Sequence, residues 1–206
     1  MTNFKYSDAV ILVFSKAPVA GSVNTRLIPD IGVEAATQLQ IELMRSRLES
    51  LKKQNLCKVE LWCAPDTSHI LFQECEKQYG VTLFKQQGDD LGDRMSLAIK
   101  GSLKKFKRVI LIGTDAPSLT SEHIETSIKK LGSNDVVIVP AEDGGYVLIG
   151  MGQHCDSVFQ SVPWSTDRVL IRTRENLKAS NLKYDELDVC WDIDRIDDYY
   201  RYKMMI

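Results

Sequence analysis

Val109-Ile110-Leu111-Ile112-Gly113-Thr114-Asp115-Ala116-Pro117 is the stretch from which the fold of this chain is read. Four consecutive aliphatic residues, mostly β-branched, describe a strand buried on both faces, the habit of a parallel sheet. Gly113 lets the chain turn and Pro117 stiffens the exit. Between them, an aspartate is left at the carboxyl tip of the strand, where open α/β sheets bind ligands. Asp115 is therefore a candidate ligand for a divalent cation. Mg²⁺ takes one or two carboxylates and completes its shell with substrate phosphate oxygens. The competing reading is a turn capped by the Asp115 side chain.

Outward from this strand, apolar runs alternate with helical patterns. Ala9 to Phe14 is a second continuous run, Lys58 to Cys63 alternates, Val81 to Phe84 is short, and Val136 to Val139 is again fully apolar. Tyr146 to Ile149 predicts a further strand. Helical spacing marks Val33–Lys53, Ser68–Tyr79, Met95–Phe106, Ser121–Leu131 and Thr166–Leu177, with Ser121 and Ser165 as the expected N-caps. This order predicts an α/β fold: a mostly parallel sheet with helices on both faces.

The chain has 206 residues, 44% of them hydrophobic and 26% charged, with a formal net charge of -2. That length suits a single domain over 1–206. The near balance of charge argues against a nucleic-acid partner, whose binding domains are strongly basic. No apolar run reaches the length of a membrane span. Ala9 to Phe14 is too short for a signal-peptide core, and the five cysteines lack C-x-x-C spacing, so a reduced cytoplasm is expected. Cys63, His69 and Cys75 are loosely grouped, but their elements separate them, and the cysteines read as small buried hydrophobes.

Four loops carry candidate chemistry. In Ser15–Leu27, Lys16 and Arg26 are the cations and Gly21 permits close backbone approach to a ligand. A point charge and a planar fork together suit a diphosphate; two solvated cations on a surface turn are the alternative. Neither a Walker A loop nor a G-x-G-x-x-G loop is present. Pro140-Ala141-Glu142-Asp143-Gly144-Gly145-Tyr146 offers Asp143 as a general base and Tyr146 as a stacking ring for a sugar, or a plain D-G hairpin. In Gln87–Met95, Gly88 and Gly92 allow a bend, and Arg94 reads either as a phosphate contact or as a surface helix residue. In Trp191–Tyr199, Ile193 points inward with Asp192 and Asp194 on the other face of a short strand, either as two carboxylates that complete a metal site or as a solvated edge strand before an Asp-capped helix.

These motifs stand in one order: Lys16…Gly21…Thr25-Arg26-Leu27, Asp90-Leu91-Gly92-Asp93-Arg94-Met95, Ile112 to Pro117, Pro140 to Tyr146 and Trp164-Ser165-Thr166. Together they resemble a bacterial family of small GT-A-like, nucleotide-diphospho-sugar transferase-type proteins, often labelled glycosyltransferases of the radical-SAM/selenodomain-associated type. The resemblance runs from about Val10 to Asp198. It implies a GT-A-type, Rossmann-like three-layer sandwich, related to molybdenum-cofactor and phospholactate guanylyltransferases. It further implies that Lys16, Ala17, Gly21, Thr25 and Arg26, with Gly92 and Arg94, bind the nucleotide diphosphate. Asp115 and a late acid, Asp194 or Asp192, would hold Mg²⁺ or Mn²⁺. Glu142, Gly144, Gly145, Tyr146 and Trp164 are expected near the sugar or acceptor, with a place in the core as the other reading of Trp164. Two departures stand out: Asn24 replaces the usual lysine before Thr-Arg-Leu, and Arg195-Ile196 stands where relatives carry Thr-Pro.

The expected activity is metal-dependent transfer of a sugar from a nucleotide-diphospho-sugar, with Asp143 and Asp115 as the catalytic pair. Two alternatives keep the same fold: a nucleotidyltransferase releasing pyrophosphate from an NTP, and a non-catalytic nucleotide-sugar-binding protein.

Overall fold

The computed structural model describes residues 4–205; residues 1–3 and 206 of the expected domain lie outside them. Each apolar run becomes a strand: β1 (Ala9–Lys16), β2 (Lys58–Ala64), β3 (Thr82–Lys85), β4 (Arg108–Ile112), β5 (Val136–Pro140) and β6 (Tyr146–Met151). A further edge strand, β7 (Tyr184–Glu186), has no apolar signature. Among the described residues these form one seven-stranded sheet in the order β3-β2-β1-β4-β6-β5-β7. Only β6 runs against the others, because the Glu142–Gly145 turn folds it back as a hairpin on β5.

Helices α1 (Ile28–Gln54), α2 (Ile70–Tyr79), α3 (Leu91–Ser102), α4 (Ser121–Lys130), α5 (Val169–Ala179) and α6 (Ile196–Lys203) complete the molecule. Alternation along β1 distributes them. Ala9, Ile11 and Val13 share a core with Met44 and Leu48 of α1, Phe72 of α2 and Ile124 and Ile128 of α4. Val10, Leu12 and Phe14 share one with Met95 and Ile99 of α3 and Leu170 and Leu177 of α5. The sheet is thus covered on both faces, the three-layer arrangement expected of continuous aliphatic strands. No helix among the described residues is long and apolar enough to cross a membrane.

A third, smaller cluster joins Leu27, Leu39 and Leu43 to Trp191, Ile193 and Tyr202. Burying a leucine or isoleucine is worth about 1.5–3 kcal/mol, against roughly 0–1 kcal/mol for an exposed ion pair. This cluster, more than the charges around it, therefore fixes the C-terminal segment against the first loop.

Local structure departs from expectation at several places. Gly32, at φ 80°, interrupts α1, so a first turn precedes the expected start at Val33. Thr120, not Ser121, caps α4, its side chain accepting from His123 N–H while His123 Nδ1 accepts from Thr120 N–H. Ser165 has φ 65° and caps nothing. α5 starts four residues later, because 166–168 form a turn in which Thr166 Oγ1 accepts from Arg168 N–H, and Leu170 N–H reaches Gly144 O at 2.9 Å. Residues 192–194 pair with no strand. His69 caps α2 through Nδ1, and burial pushes the Cys63 and Cys75 thiols up to about 12 and about 11, so both are protonated packing groups.

Candidate active site

β1 and β4 are parallel neighbours with Val13 opposite Ile112. Lys16 and Asp115 each lie three residues beyond that pair, so parallel pairing brings a cation and a carboxylate to one edge of the sheet. This is the edge at which the first loop, the 113–117 turn, the 141–145 hairpin and the C-terminal segment converge.

Asp115 is open to solvent yet lies deep among protein atoms, as a group on the floor of a cleft does. Loss of bulk water around it raises its pKa, and the charges of Asp143 and Asp194 push the same way. Arg47 opposes them. Its buried guanidinium reaches through from α1 to donate to Leu119 O at 2.7 Å and Ala116 O at 2.5 Å, holding the turn that displays Asp115. A side chain at Gly113 would push the Asp115 carboxylate out of its present position.

The C-terminal segment docks on the same turn. Ile193 N–H donates to Asp115 O at 2.9 Å, and Ser118 Oγ both donates to Trp191 O and accepts from Trp191 N–H. Between these anchors, Asp192 is carried beside Asp115. Burial, then the charges of Asp115, Asp143 and Asp194, raise its pKa to about 7. The Asp115 charge is one cause of the raised Asp192 pKa, a repulsion that a bound cation would relieve.

Asp194 is differently engaged. Arg26 Nη1 lies 2.7 Å from both of its oxygens, and Arg195 Nε 3.3 Å from Oδ2. The pairing raises the Arg26 pKa, with a further contribution from Asp143. Arg26, expected on the diphosphate beside Lys16, therefore sits among the acids.

Lys16 lines a neighbouring cleft of about 660 Å³ with Ala17, Ala64, Gln86, Gly88 and Arg94. Gln86 is fixed on its floor, its Nε2 donating to Trp62 O at 2.8 Å and Ser15 O at 3.3 Å. Arg94 leans into the bend through Nε to Gly88 O at 3.2 Å. Gly88, at φ 130°, could carry no side chain without striking Asp93 and Arg94. Gly21, at φ 78°, shapes the first loop, and Thr25 O closes a turn onto Ile28 N–H.

In the hairpin, Asp143 is exposed, with Oδ1 accepting from Gly145 N–H at 2.8 Å. Gly144, at φ 88°, lies against the backbone of Asp167, which ties the hairpin to the turn before α5. Glu142 pairs with Arg201 of α6 at 2.9 Å, and that guanidinium lies 4.3 Å over the Trp191 ring. Tyr146 turns inward: its ring packs against the second core and its hydroxyl is enclosed beside Thr173. Trp164 lies across Gly92, where a Cβ would come within 2.7 Å of the indole. Both rings therefore take part in packing, Trp164 remaining half-buried.

A divalent cation can be fitted to this edge in one way. Among the described residues no three His, Cys, Asp or Glu side chains close around one point. Mg²⁺ needs no such cage, since it keeps waters and uses one or two carboxylates with phosphate oxygens. Asp115 and Asp192 are the carboxylates that could answer that need; Asp194 would first have to give up Arg26 and Arg195. Arg47 is the residue at this edge that the sequence analysis did not single out. The signal for Arg47 was a charged residue on the apolar stripe of α1.

A family model described as an uncharacterized protein conserved in bacteria (DUF2064) matches residues 47–166. No curated protein sequence matches the chain. Among solved structures, a candidate nucleotide-diphospho-sugar transferase from Desulfovibrio desulfuricans G20 is similar at a TM-score of 0.86 and 29% identity, over 96% of this chain and 87% of that one. A CMP:2-keto-3-deoxy-manno-octonic acid synthetase in complex with CTP superposes at 0.59 with 11% identity, over 97% and 98% of the two chains. Rv0371c of Mycobacterium tuberculosis H37Rv, in complex with manganese, superposes at 0.55 with 16% identity, over 97% and 100%. The last two likenesses are of fold.

Proposed function

The chain belongs to that bacterial family, and from this premise we propose that its 206 residues form one transferase domain acting on a nucleotide-activated substrate, with a nucleotide-diphospho-sugar as donor. The observation that carries the reading is the shared sheet edge: Lys16 at the tip of β1, Asp115 at the tip of β4, and Asp192 brought beside Asp115. The likeness to the Desulfovibrio protein supports it.

In this reading the nucleotide lies in the 660 Å³ cleft, with its diphosphate toward Lys16 and Arg94. Asp115 and Asp192 would hold Mg²⁺ or Mn²⁺, which would supply charge neutralisation on the diphosphate. The acceptor hydroxyl oxygen forms the new bond to the anomeric carbon. The bond from that carbon to the diphosphate oxygen breaks, and the electron pair leaves with the nucleoside diphosphate. Asp143 takes the hydroxyl proton on Oδ2, its Oδ1 being held by Gly145 N–H. Five free thiols accord with a reducing compartment, so we place the protein in the cytoplasm.

The test is calorimetry with CDP, GDP and UDP, with and without Mn²⁺, followed by assay of sugar release from the matching nucleotide sugar. Metal-dependent binding and sugar release lost in Asp143→Asn support the reading. Pyrophosphate release from an NTP would replace it with nucleotidyl transfer, and absence of any nucleotide binding would remove both.

A further inference from the structure

We propose that Asp194 is a positioning residue for Arg26: it holds the guanidinium in the ligand-free site and surrenders it to the diphosphate when substrate binds. This rests on the nucleotide-diphosphate reading above and assigns Asp194 a role other than the metal ligation expected from sequence.

The pair joins residues 168 positions apart, and the apolar cluster explains why they meet. Arg26 precedes Leu27 and Asp194 follows Ile193, and both neighbours are buried in the same cluster. The Asp194 backbone is fixed further: Asp198 accepts from Asp194 N–H at 3.2 Å and from Arg195 N–H at 2.8 Å, which starts α6. On the other side, the first loop is held by Leu27 and by Asn24 Nδ2 donating to Ala36 O at 2.9 Å. With both backbones held, the exchange falls to the Arg26 side chain, which is 47% exposed and the longer of the two.

Asp194 is a poor cation ligand as it stands, since both oxygens contact Arg26 and one also contacts Arg195. A metal would have to displace two guanidinium groups. Exchange is easier from the arginine side. A half-exposed ion pair contributes little, whereas a charge-assisted contact to a phosphate group is among the stronger hydrogen bonds. The charge of Asp143 also reaches Arg26, so the guanidinium already lies within the acidic site that the metal-bound diphosphate would enter. The Arg201 contacts to Glu142 and Trp191 keep the C-terminal segment in place when the Arg26 pair opens.

The experiment uses inorganic pyrophosphate as probe, by calorimetry at low salt in the presence of a chelator, and Mn²⁺ alone in a second titration. Asp194→Asn and Arg26→Gln break the same contact from opposite ends. Release of Arg26 in Asp194→Asn tightens pyrophosphate about 3-fold, and its loss in Arg26→Gln weakens it about 10-fold. In the double variant Asp194→Asn brings no tightening, because the partner to be released is gone; a persisting gain would mean simple charge repulsion and overturn the exchange. Equal shifts in one direction would mean a structural contact and overturn it as well. Loss of Mn²⁺ binding in Asp194→Asn would restore Asp194 as a metal ligand. Failure of wild type to bind pyrophosphate both in chelator and in a repeat with Mn²⁺ present would remove the nucleotide-diphosphate reading with it, whereas binding that depends on Lys16 but ignores Arg26 and Asp194 would remove the exchange alone.

Discussion

The guanidinium of Arg47 and the carboxylate of Asp115 lie on opposite sides of one turn: Arg47 binds the carbonyls of Ala116 and Leu119 at 2.5 and 2.7 Å from the buried side, and its charge favours ionised Asp115. The helix that covers one face of the sheet thereby sets the shape of the turn that displays the candidate metal ligand.

Arg47→Met should therefore destabilise the protein by about 2–6 kcal/mol, since two buried carbonyls lose their donors at roughly 1–3 kcal/mol each. Arg47→Lys should recover less than half, because one ammonium lacks the fork that spans both carbonyls. Urea unfolding midpoints measure both.

The pH dependence of stability follows from Asp192. Its folded pKa is about 7, above the ordinary 3.8, so between about pH 4 and pH 7 the folded state holds more protons than the unfolded one. Stability of the metal-free protein then falls as pH rises through that window and levels off above it. Asp115, also raised, adds to the same slope. Thermal denaturation across pH 4–8 should show the decline, and Asp192→Asn should flatten most of it.

Gly144→Ala should cost about 1–3 kcal/mol, as a residue with a Cβ is strained at φ 88° and meets the Asp167 backbone. Gly145→Ala, whose Cβ would lie 3.1 Å from Asp143 Oδ1, a side-chain atom, should cost less. Comparison of the two midpoints separates hairpin docking from a general loss of glycine.

The strands were legible because β1, β4 and β5 are continuous aliphatic runs, and their alternation with helices implied the parallel sheet. β7 was not, because Tyr184-Asp185-Glu186 is an edge strand whose acids are matched by Lys130 and Arg174 on two helices. Ser165 misled because a serine before a helical pattern resembles a cap, while docking of the following turn on Gly144 delays the helix. Asp115, Lys16 and the acids of the C-terminal segment could be named from sequence, since each stands at a strand end or in an acidic run. Their partners could not: the contact of Arg26 with Asp194 exists because Leu27 and Ile193 share a buried cluster, a tertiary fact with no local signature.

Lys16→Met and Arg94→Met should each weaken nucleoside diphosphate binding by about 10-fold or more, from the roughly 1.5–3 kcal/mol of a hydrogen bond to a charged group. Arg168→Met, a change outside that cleft, should leave affinity within about 2-fold. Equilibrium titration of CDP, GDP and UDP reports all three.

The most direct measurement is calorimetric affinity for a nucleoside diphosphate with and without Mn²⁺, in wild type and in Asp192→Asn. Joint action of Lys16, Asp115 and Asp192 at one sheet edge predicts that Mn²⁺ tightens binding by at least about 10-fold in wild type and that Asp192→Asn abolishes the gain. Affinity that ignores Mn²⁺ in wild type, or a gain that persists unchanged in Asp192→Asn, would contradict it.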